Sequence, residues 1–151
     1  MATIKPSMKL YLDNCCFNRP FDDQSNFRVR LEAEAKLRIQ DQIRSGCYHL
    51  VWSYILDYEN SKNPYRDRRE QIAKWRGYAY DDIESSEAIM QHASTMKLLG
   101  LKQMDAFHVA CAIHAVCDYF LTTDKGILKY ATQVQALHIT DPIGFIQETN
   151  P

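Results

Sequence analysis

The most apolar part of the chain is residues 106–117, where only His108 and His114 are polar. A helix that is apolar on all sides is usually buried. This segment therefore predicts a buried helix, with Asp105 opening it as the cap of its first turn. Residues 119–121 follow as a short apolar strand, which ends at Thr122 and leads to Asp124.

Similar short strands and longer amphipathic segments alternate along the rest of the chain. Residues 27–39 alternate apolar and polar as a strand would, but their length and their Leu, Ala, Glu and Lys content favour a helix. Strands that alternate with helices predict one α/β domain over residues 1–151, with a central, mainly parallel sheet flanked by helices in three layers. Further strands are predicted at 9–12, 48–52 and 137–140, and further helices at 54–62, 66–75, 85–99, 127–131 and from Pro142.

The composition is that of an ordinary soluble domain, with 46% hydrophobic and 25% charged residues among 151. Its 18 basic and 19 acidic residues nearly cancel, so the global charge argues neither for nor against a nucleic-acid partner. The polar N-terminus predicts no export signal, and no apolar run is long enough to span a membrane. Five cysteines without C-x-x-C spacing indicate reduced thiols and a cytoplasmic protein. Zinc binding by His108 and Cys111 is disfavoured, because their helix is otherwise core-like.

Four acids fall near the predicted carboxyl ends of strands, where ligands bind in parallel α/β sheets. Asp13 and Asp124 end strands, Glu59 lies in the second turn of the helix that follows one, and Asp105 begins the buried helix. Each acid alone is explained as a helix cap, a turn residue or an exposed side chain. Together, converging carboxylates are costly unless something positive lies among them. Oxygen ligands suit Mg²⁺ or Mn²⁺, which predicts metal-assisted phosphodiester cleavage as the reaction class.

The helix at residues 66–75 is rich in basic side chains and has aromatic neighbours such as Tyr65 and Trp75. A charge run of this kind is usually a solvated face. Interleaved aromatic residues would also let it follow a phosphate backbone and stack on unpaired bases. Both interpretations stay open at this point, and the candidate substrate-binding residues are Arg66, Arg68, Arg69 and Lys74.

The chain resembles the PIN domain family, which includes the VapC-type toxins of bacterial toxin-antitoxin pairs. Four segments carry this resemblance: LYLDNC, SYILDYE, MDAFHVACA and FLTTD. The resemblance runs over residues 9–146, with DPIGFI similar to the family's closing helix. It implies a PIN-like fold and a metal-dependent ribonuclease. One departure is that many members carry a further acid after the strand-end Asp, where this chain has Lys125, Gly126 and Ile127. The resemblance also implies a set of site residues. The expected ligands of Mg²⁺ or Mn²⁺ are Asp13, Glu59, Asp105 and Asp124, and Thr122 and Asn14 are expected to assist them.

The same resemblance gives the expected partners: RNA as substrate, a cognate antitoxin protein, and a second copy of the chain in a homodimer. A rival hypothesis is a PIN-like module that binds RNA or a protein without cleaving. A phosphatase of the haloacid dehalogenase type would need a second Asp two residues after Asp13, where this chain has Cys15. Ser-His-Asp hydrolysis is disfavoured, since the chain has no G-x-S-x-G segment.

Overall fold

A five-stranded parallel sheet organises residues 7–150, the part of the chain that the computed structural model describes. The sheet order is β3-β2-β1-β4-β5, so β1 is central and pairs with both β2 and β4. The carboxyl ends of all five strands consequently meet at one edge. The strands are β1 (Met8–Leu12), β2 (Tyr48–Ser53), β3 (Ala79–Ile83), β4 (Tyr119–Leu121) and β5 (His138–Thr140).

Helices cover the sheet as the alternating pattern predicts, which gives a three-layer α/β arrangement. The prediction of a helix rather than a strand at residues 27–39 is confirmed. This helix, α2, begins directly after Asn26, whose side chain caps it. Ser53 and Asp141 likewise cap α3 and α8 through their side chains. The helices are α1 (Asn14–Asn18), α2 (Phe27–Arg44), α3 (Tyr54–Ser61), α4 (Arg66–Ala73), α5 (Glu87–Leu99), α6 (Gln103–His114), α7 (Lys125–Leu128) and α8 (Pro142–Thr149), with 3-10 turns at Arg19–Phe21 and Lys74–Tyr78.

Some boundaries differ from those that the sequence predicts. Strand β3 is absent from the prediction. It lies at the edge of the sheet, and its exposed Tyr80 and Asp82 leave too few apolar positions for a strand pattern to be recognised. The predicted helix 66–75 ends at Ala73 and continues as a 3-10 turn, and α7 begins at Lys125 instead of residue 127. The predicted domain limits, residues 1 and 151, lie outside the described residues.

The core lies around β1 and α6, as the apolar patterns indicate. Tyr11 on β1 stacks on Phe120 of β4, with 5.3 Å between ring centroids, and both side chains are fully buried. The middle of α6, from Ala106 to Ala112, is also buried except for the partly exposed Phe107, and the buried residues include His108. Among residues 7–150, no helix is both long and apolar enough to cross a membrane.

Val116 lies two residues after His114, the last residue of α6, and its φ of 57° is in the left-handed region that favours glycine. The amides of Val116 and Cys117 donate to Ile113 and Ala112 carbonyls, which is a Schellman ending. The Val116 side chain is 77% exposed, so it contributes little packing to offset the backbone strain. Val116→Gly should raise the free energy of unfolding by about 1 kcal/mol, because left-handed backbone costs roughly that for a residue with a Cβ. Urea denaturation of wild type, Val116→Gly and Val116→Ala measures this effect. A Val116→Gly variant that is less stable than wild type would contradict the prediction.

Candidate functional site

Asp13 is the first residue after β1 and lies at the carboxyl edge of the sheet. Its amide donates to the Leu121 carbonyl at 2.9 Å, which fixes the end of β1 against the end of β4. Its Oδ1 accepts from the Asn14 amide at 2.8 Å and thereby caps α1, while its Oδ2 accepts from Thr122 Oγ1 at 2.8 Å. The residue is 5% exposed, and burial raises the pKa of its carboxyl above the ordinary value, although His108 opposes this.

Thr122 connects two of the predicted acids through one hydroxyl. Its Oγ1 donates to Asp13 Oδ2 and accepts from the Asp124 amide at 3.0 Å. Asp124 is exposed and caps α7, since its Oδ1 accepts from the Gly126 amide at 2.8 Å. The prediction that Asp124 is a turn residue is thus confirmed. The hydrogen bonds of Thr122 hold this turn next to Asp13.

His108 is the residue that lies among the acids, and it is fully buried. Its Nε2 is 3.1 Å from Glu59 Oε2 and 3.8 Å from Asp13 Oδ1. Burial alone lowers the pKa of His108, but the hydrogen bond to Glu59 and the charges of Asp13, Glu59 and Asp105 together raise it above its ordinary value. The acids around His108 therefore favour its protonated form, which would balance part of their charge.

A buried chain of hydroxyl groups orients the His108 ring. Its Nδ1 is 2.6 Å from the Tyr11 hydroxyl, which is 2.7 Å from Ser53 Oγ. Ser53 Oγ in turn accepts from the Leu56 amide and caps α3, the helix that carries Glu59. Burial raises the pKa of Tyr11 well above its usual range, so its hydroxyl keeps its proton. The imidazolium form then donates from Nδ1 to Tyr11 and from Nε2 to Glu59.

Glu59 faces the site from α3, the helix that follows β2. Burial raises the pKa of Glu59, but the hydrogen bond and charge of His108 and a hydrogen bond with Asn14 outweigh it, so the net pKa is below the ordinary value. The Asn14 side-chain oxygen is itself buried and without a hydrogen-bond partner among the described residues. Asp57, two residues before Glu59, points elsewhere and accepts from Trp52 Nε1 at 2.8 Å.

Asp105 is not the cap of α6, which corrects the expectation from the sequence. The helix begins at Gln103 with Lys102 at the cap position, so Asp105 is its third residue. Burial, together with the charges of Asp13 and Asp124, raises the pKa of Asp105 to about 6. The acid therefore lies within electrostatic reach of both strand-end acids.

This raised pKa predicts how Asp105 affects stability in EDTA. A carboxyl with a folded-state pKa of about 6 favours folding below its usual pKa of 3.8, and that contribution is lost as the pH rises through 6. Asp105→Asn should therefore be more stable than wild type at pH 8 by about 1 kcal/mol, a value reduced for solvent screening of a half-exposed group. The advantage should disappear below pH 4 in urea denaturation.

Asp67 offers a matched control for this experiment. It is exposed and also lies in the first turn of its helix, α4, so Asp67→Asn changes the same interaction with a helix terminus. We expect Asp67→Asn to give no gain at pH 8. An equal gain in stability for Asp105→Asn and Asp67→Asn would show that the strand-end acids do not act on Asp105.

The basic helix α4 is held to the rest of the protein by two of its candidate substrate-binding residues. Arg68 contacts Asp22 at 3.1 Å and the Phe21 carbonyl at 2.8 Å, and Arg69 donates to the Asn63 carbonyl at 2.8 Å. Arg66 is 80% exposed and pairs with Glu70 on the surface, while Lys74 is exposed in the following 3-10 turn. Arg66 and Lys74 are therefore more available to a ligand than Arg68 and Arg69, and RNA binding by all four stays a prediction.

The tightest group of ligand atoms is formed by Asp13, Glu59 and His108, which lie within 4.8 Å of one another. Asp105 and Asp124 are not part of this group, although the charge of Asp105 contributes to the raised pKa of His108. The sequence pattern indicates His108 only as a disfavoured zinc ligand. Its position three residues after Asp105 on one helix was the available signal, because residues at this spacing share a face.

The donor set fits Mg²⁺ or Mn²⁺. Two carboxylates and the unpartnered Asn14 amide oxygen supply the hard oxygen atoms that these ions prefer, and an imidazole nitrogen is acceptable to Mn²⁺. The protonation state of His108 decides its role here. Neutral His108 offers a ring nitrogen to the metal, whereas protonated His108 offers no lone pair and instead balances part of the acids' charge.

No protein-family model matches the chain, and no curated protein matches it either. Among solved structures, the chain is similar to a chain in the crystal structure of VapBC2 from Rickettsia felis bound to a DNA fragment from their promoter. The TM-score is 0.57 at 12% identity, and the match covers 89% of this chain and 98% of that chain. Identity at this level shows the fold alone, which is the PIN-like fold that the sequence motifs predict.

Proposed function

We propose that the chain is a metal-dependent endoribonuclease that hydrolyses RNA phosphodiester bonds. The observation that carries this proposal is the group of Asp13, Glu59 and His108 ligand atoms within 4.8 Å at the carboxyl edge of the sheet. Ligands of parallel α/β sheets bind at that edge. Asp105 and Asp124 complete the set of acids that would hold Mg²⁺ or Mn²⁺.

Asp13, Glu59, Asp105 and Asp124 would hold a divalent ion there, whose positive charge would favour activation of water and stabilise charge at phosphorus. The chain's own residues keep the acids in position for this. Thr122 and the Asn14 amide hold both oxygens of Asp13, so its carboxylate cannot rotate freely. His108 holds Glu59 and is itself held by Tyr11. Such fixed partners orient ligands and are needed for full metal affinity.

We also propose that the chain is the toxin of a toxin-antitoxin pair, acting in the cytoplasm with a cognate antitoxin as its protein partner. The similar solved structure is of a VapBC pair, which supports a partner of this kind. The homodimer stays a prediction, and light scattering on the purified chain would measure it. Co-expression with the product of the neighbouring reading frame, followed by copurification, tests for the antitoxin.

Cleavage of a generic single-stranded RNA tests the catalytic proposal. The purified chain should shorten the RNA in Mn²⁺ and leave it intact in EDTA. The rival function is a PIN-like module that only binds RNA or protein. A protonated His108 would favour this rival, because the acids would then have a cation among them without a metal. Retarded but intact RNA in Mn²⁺ would establish the rival for RNA.

The exposed basic residues of α4 give a separate prediction for RNA binding. If Arg66 and Lys74 neutralise phosphates, replacing both by Met should weaken binding and reduce the slope of log affinity against log salt by about 1 for each of the two residues. Filter binding at several salt concentrations measures the slope. An unchanged slope would show that Arg66 and Lys74 do not contact RNA phosphates and that α4 is only a solvated face.

A further inference from the structure

Lys36 on α2 is a buried cation that the proposed nuclease site does not use. It is 2% exposed, and its Nζ lies between two aromatic rings, 4.9 Å from the Phe17 centroid and 5.2 Å from the Trp75 centroid. Within residues 7–150, this ammonium group has no hydrogen bond and no ion pair. Lysine is almost never fully buried unless it is paired, so this residue calls for a physical explanation.

The surroundings of Lys36 are unfavourable for an isolated charge. Burial and the neighbouring charge of Arg44 together lower its pKa to about 7, against an opposite effect of Cys16. The two rings offer cation–π contacts, which replace part of the lost hydration. They provide no acceptor for the N–H groups, so an anion placed beside Nζ would supply both the missing acceptor and the missing opposite charge.

A cavity of about 270 Å³ opens at Lys36 between α2, α4 and the first 3-10 turn. An apolar cavity of roughly 150 Å³ can hold benzene, so this volume suits one ring with a small polar group and is too small for most larger ligands. Arg44 adds a second positive charge, with its guanidinium 4.7 Å from the Trp75 ring centroid. The lining contains no Asp or Glu and consists mainly of Phe17, Phe21, Leu37, Ile72 and Trp75 with Lys36 and Arg44.

We propose that this cavity, the Lys36 pocket, binds the carboxylate of a small aromatic or apolar acid. Lys36 Nζ pairs with the carboxylate, and the body of the ligand packs against Phe21 and Leu37, the exposed apolar side chains of the lining. A carboxylate with one charge and an apolar body matches this lining, whereas a strongly hydrated anion such as phosphate would lose its water to apolar walls. The carboxylate comes from a free acid or from an acidic side chain in a peptide.

Calorimetric titration of phenylacetate into the full chain tests the proposal. Wild type should bind it, and Lys36→Met should bind it at least about tenfold more weakly, because a charge-assisted hydrogen bond is lost while the side-chain volume is kept. Lys97→Met is the matched control, since Lys97 is exposed on α5. The control should keep wild-type affinity, and equal affinity for all three proteins would overturn the proposal.

Gln71→Trp gives a second test that does not depend on Lys36→Met folding. Gln71 is exposed on α4 and lines the mouth of the pocket, so a large ring there should block entry without disturbing Lys36. Binding should fall in this variant. Inorganic phosphate is the competing anion, and phosphate that binds as tightly as phenylacetate and loses affinity equally in Lys36→Met would also overturn the carboxylate assignment.

The source of the carboxylate is separated by comparing phenylacetate with the blocked dipeptide N-acetyl-Phe-Glu-amide. Stronger binding of the free acid supports a small-molecule ligand, and stronger binding of the dipeptide supports an acidic peptide. Binding of neither compound by wild type overturns the proposal. These results do not depend on RNA cleavage, so the Lys36 pocket and the nuclease site can fail separately.

Discussion

Asp13→Asn is expected to lower Mn²⁺-dependent RNA cleavage by at least about a hundredfold while leaving the protein folded. Loss of a residue that only orients a metal ligand already costs roughly 10- to 100-fold, so loss of a ligand should cost no less. Asn keeps the size of Asp and caps a helix about as well, so α1 should retain its cap. Since burial disfavours the charged form of Asp13, the variant should be at least as stable as wild type in EDTA.

Asp118→Asn is the control for this comparison. Asp118 directly precedes β4 at the opposite edge of the sheet, and its carboxylate accepts from the Lys9 amide at 2.8 Å. The control should cleave RNA like wild type. Cleavage by Asp13→Asn that stays near the wild-type rate and is still stopped by EDTA would show that Asp13 is not a metal ligand.

His108→Leu has the largest expected effect on stability, a loss of about 3 kcal/mol in EDTA. Removing one partner of a buried charge pair leaves the other charge unbalanced, and here both Asp13 and Glu59 lose a partner. Mn²⁺ should restore part of the loss, because an ion that binds only the folded state stabilises it. Chemical denaturation with and without Mn²⁺ measures both effects.

The pH dependence distinguishes a charged His108 from one that only fills space. A His with a raised folded-state pKa stabilises the protein fully below 6.5, and the contribution is lost as the pH rises through the folded-state pKa. The deficit of His108→Leu should thus be largest near pH 6 and shrink at high pH. His114→Leu, at the exposed end of the same helix, should show no such trend. A deficit that is constant with pH would mean that His108 is neutral.

Much of the fold could be predicted because its signals are local. The apolar runs of β1, β2 and β4 and the caps at Asn26, Ser53 and Asp141 lie within a few residues of the elements they define. Strand β3 was missed because an edge strand exposes much of its surface. The start of α6 was misplaced, since Lys102 is not a typical cap residue and Asp105 is.

The site depends on interactions that the sequence does not encode locally. Asp13, Glu59 and Asp124 were found because each lies just after a strand, and Asp105 because it lies at the start of the apolar helix. The hydrogen bond between Asp13 and Thr122 depends on β1 and β4 being neighbours. His108 was read as part of a core helix, and only its side-chain partners reveal the charge among the acids. Lys36 was equally hidden, because a lysine in an amphipathic helix is normally exposed.

Direct Mn²⁺ binding is the measurement that tests the metal site itself. In a titration followed by electron paramagnetic resonance, the signal of free Mn²⁺ falls as the ion binds to protein. Wild type and Asp118→Asn should bind Mn²⁺ equally, and Asp13→Asn and Glu59→Gln should each bind it at least about tenfold more weakly, in line with the cost of disturbing a metal site. Equal binding by all four proteins, or none by wild type, would contradict a metal site at the carboxyl edge of this sheet.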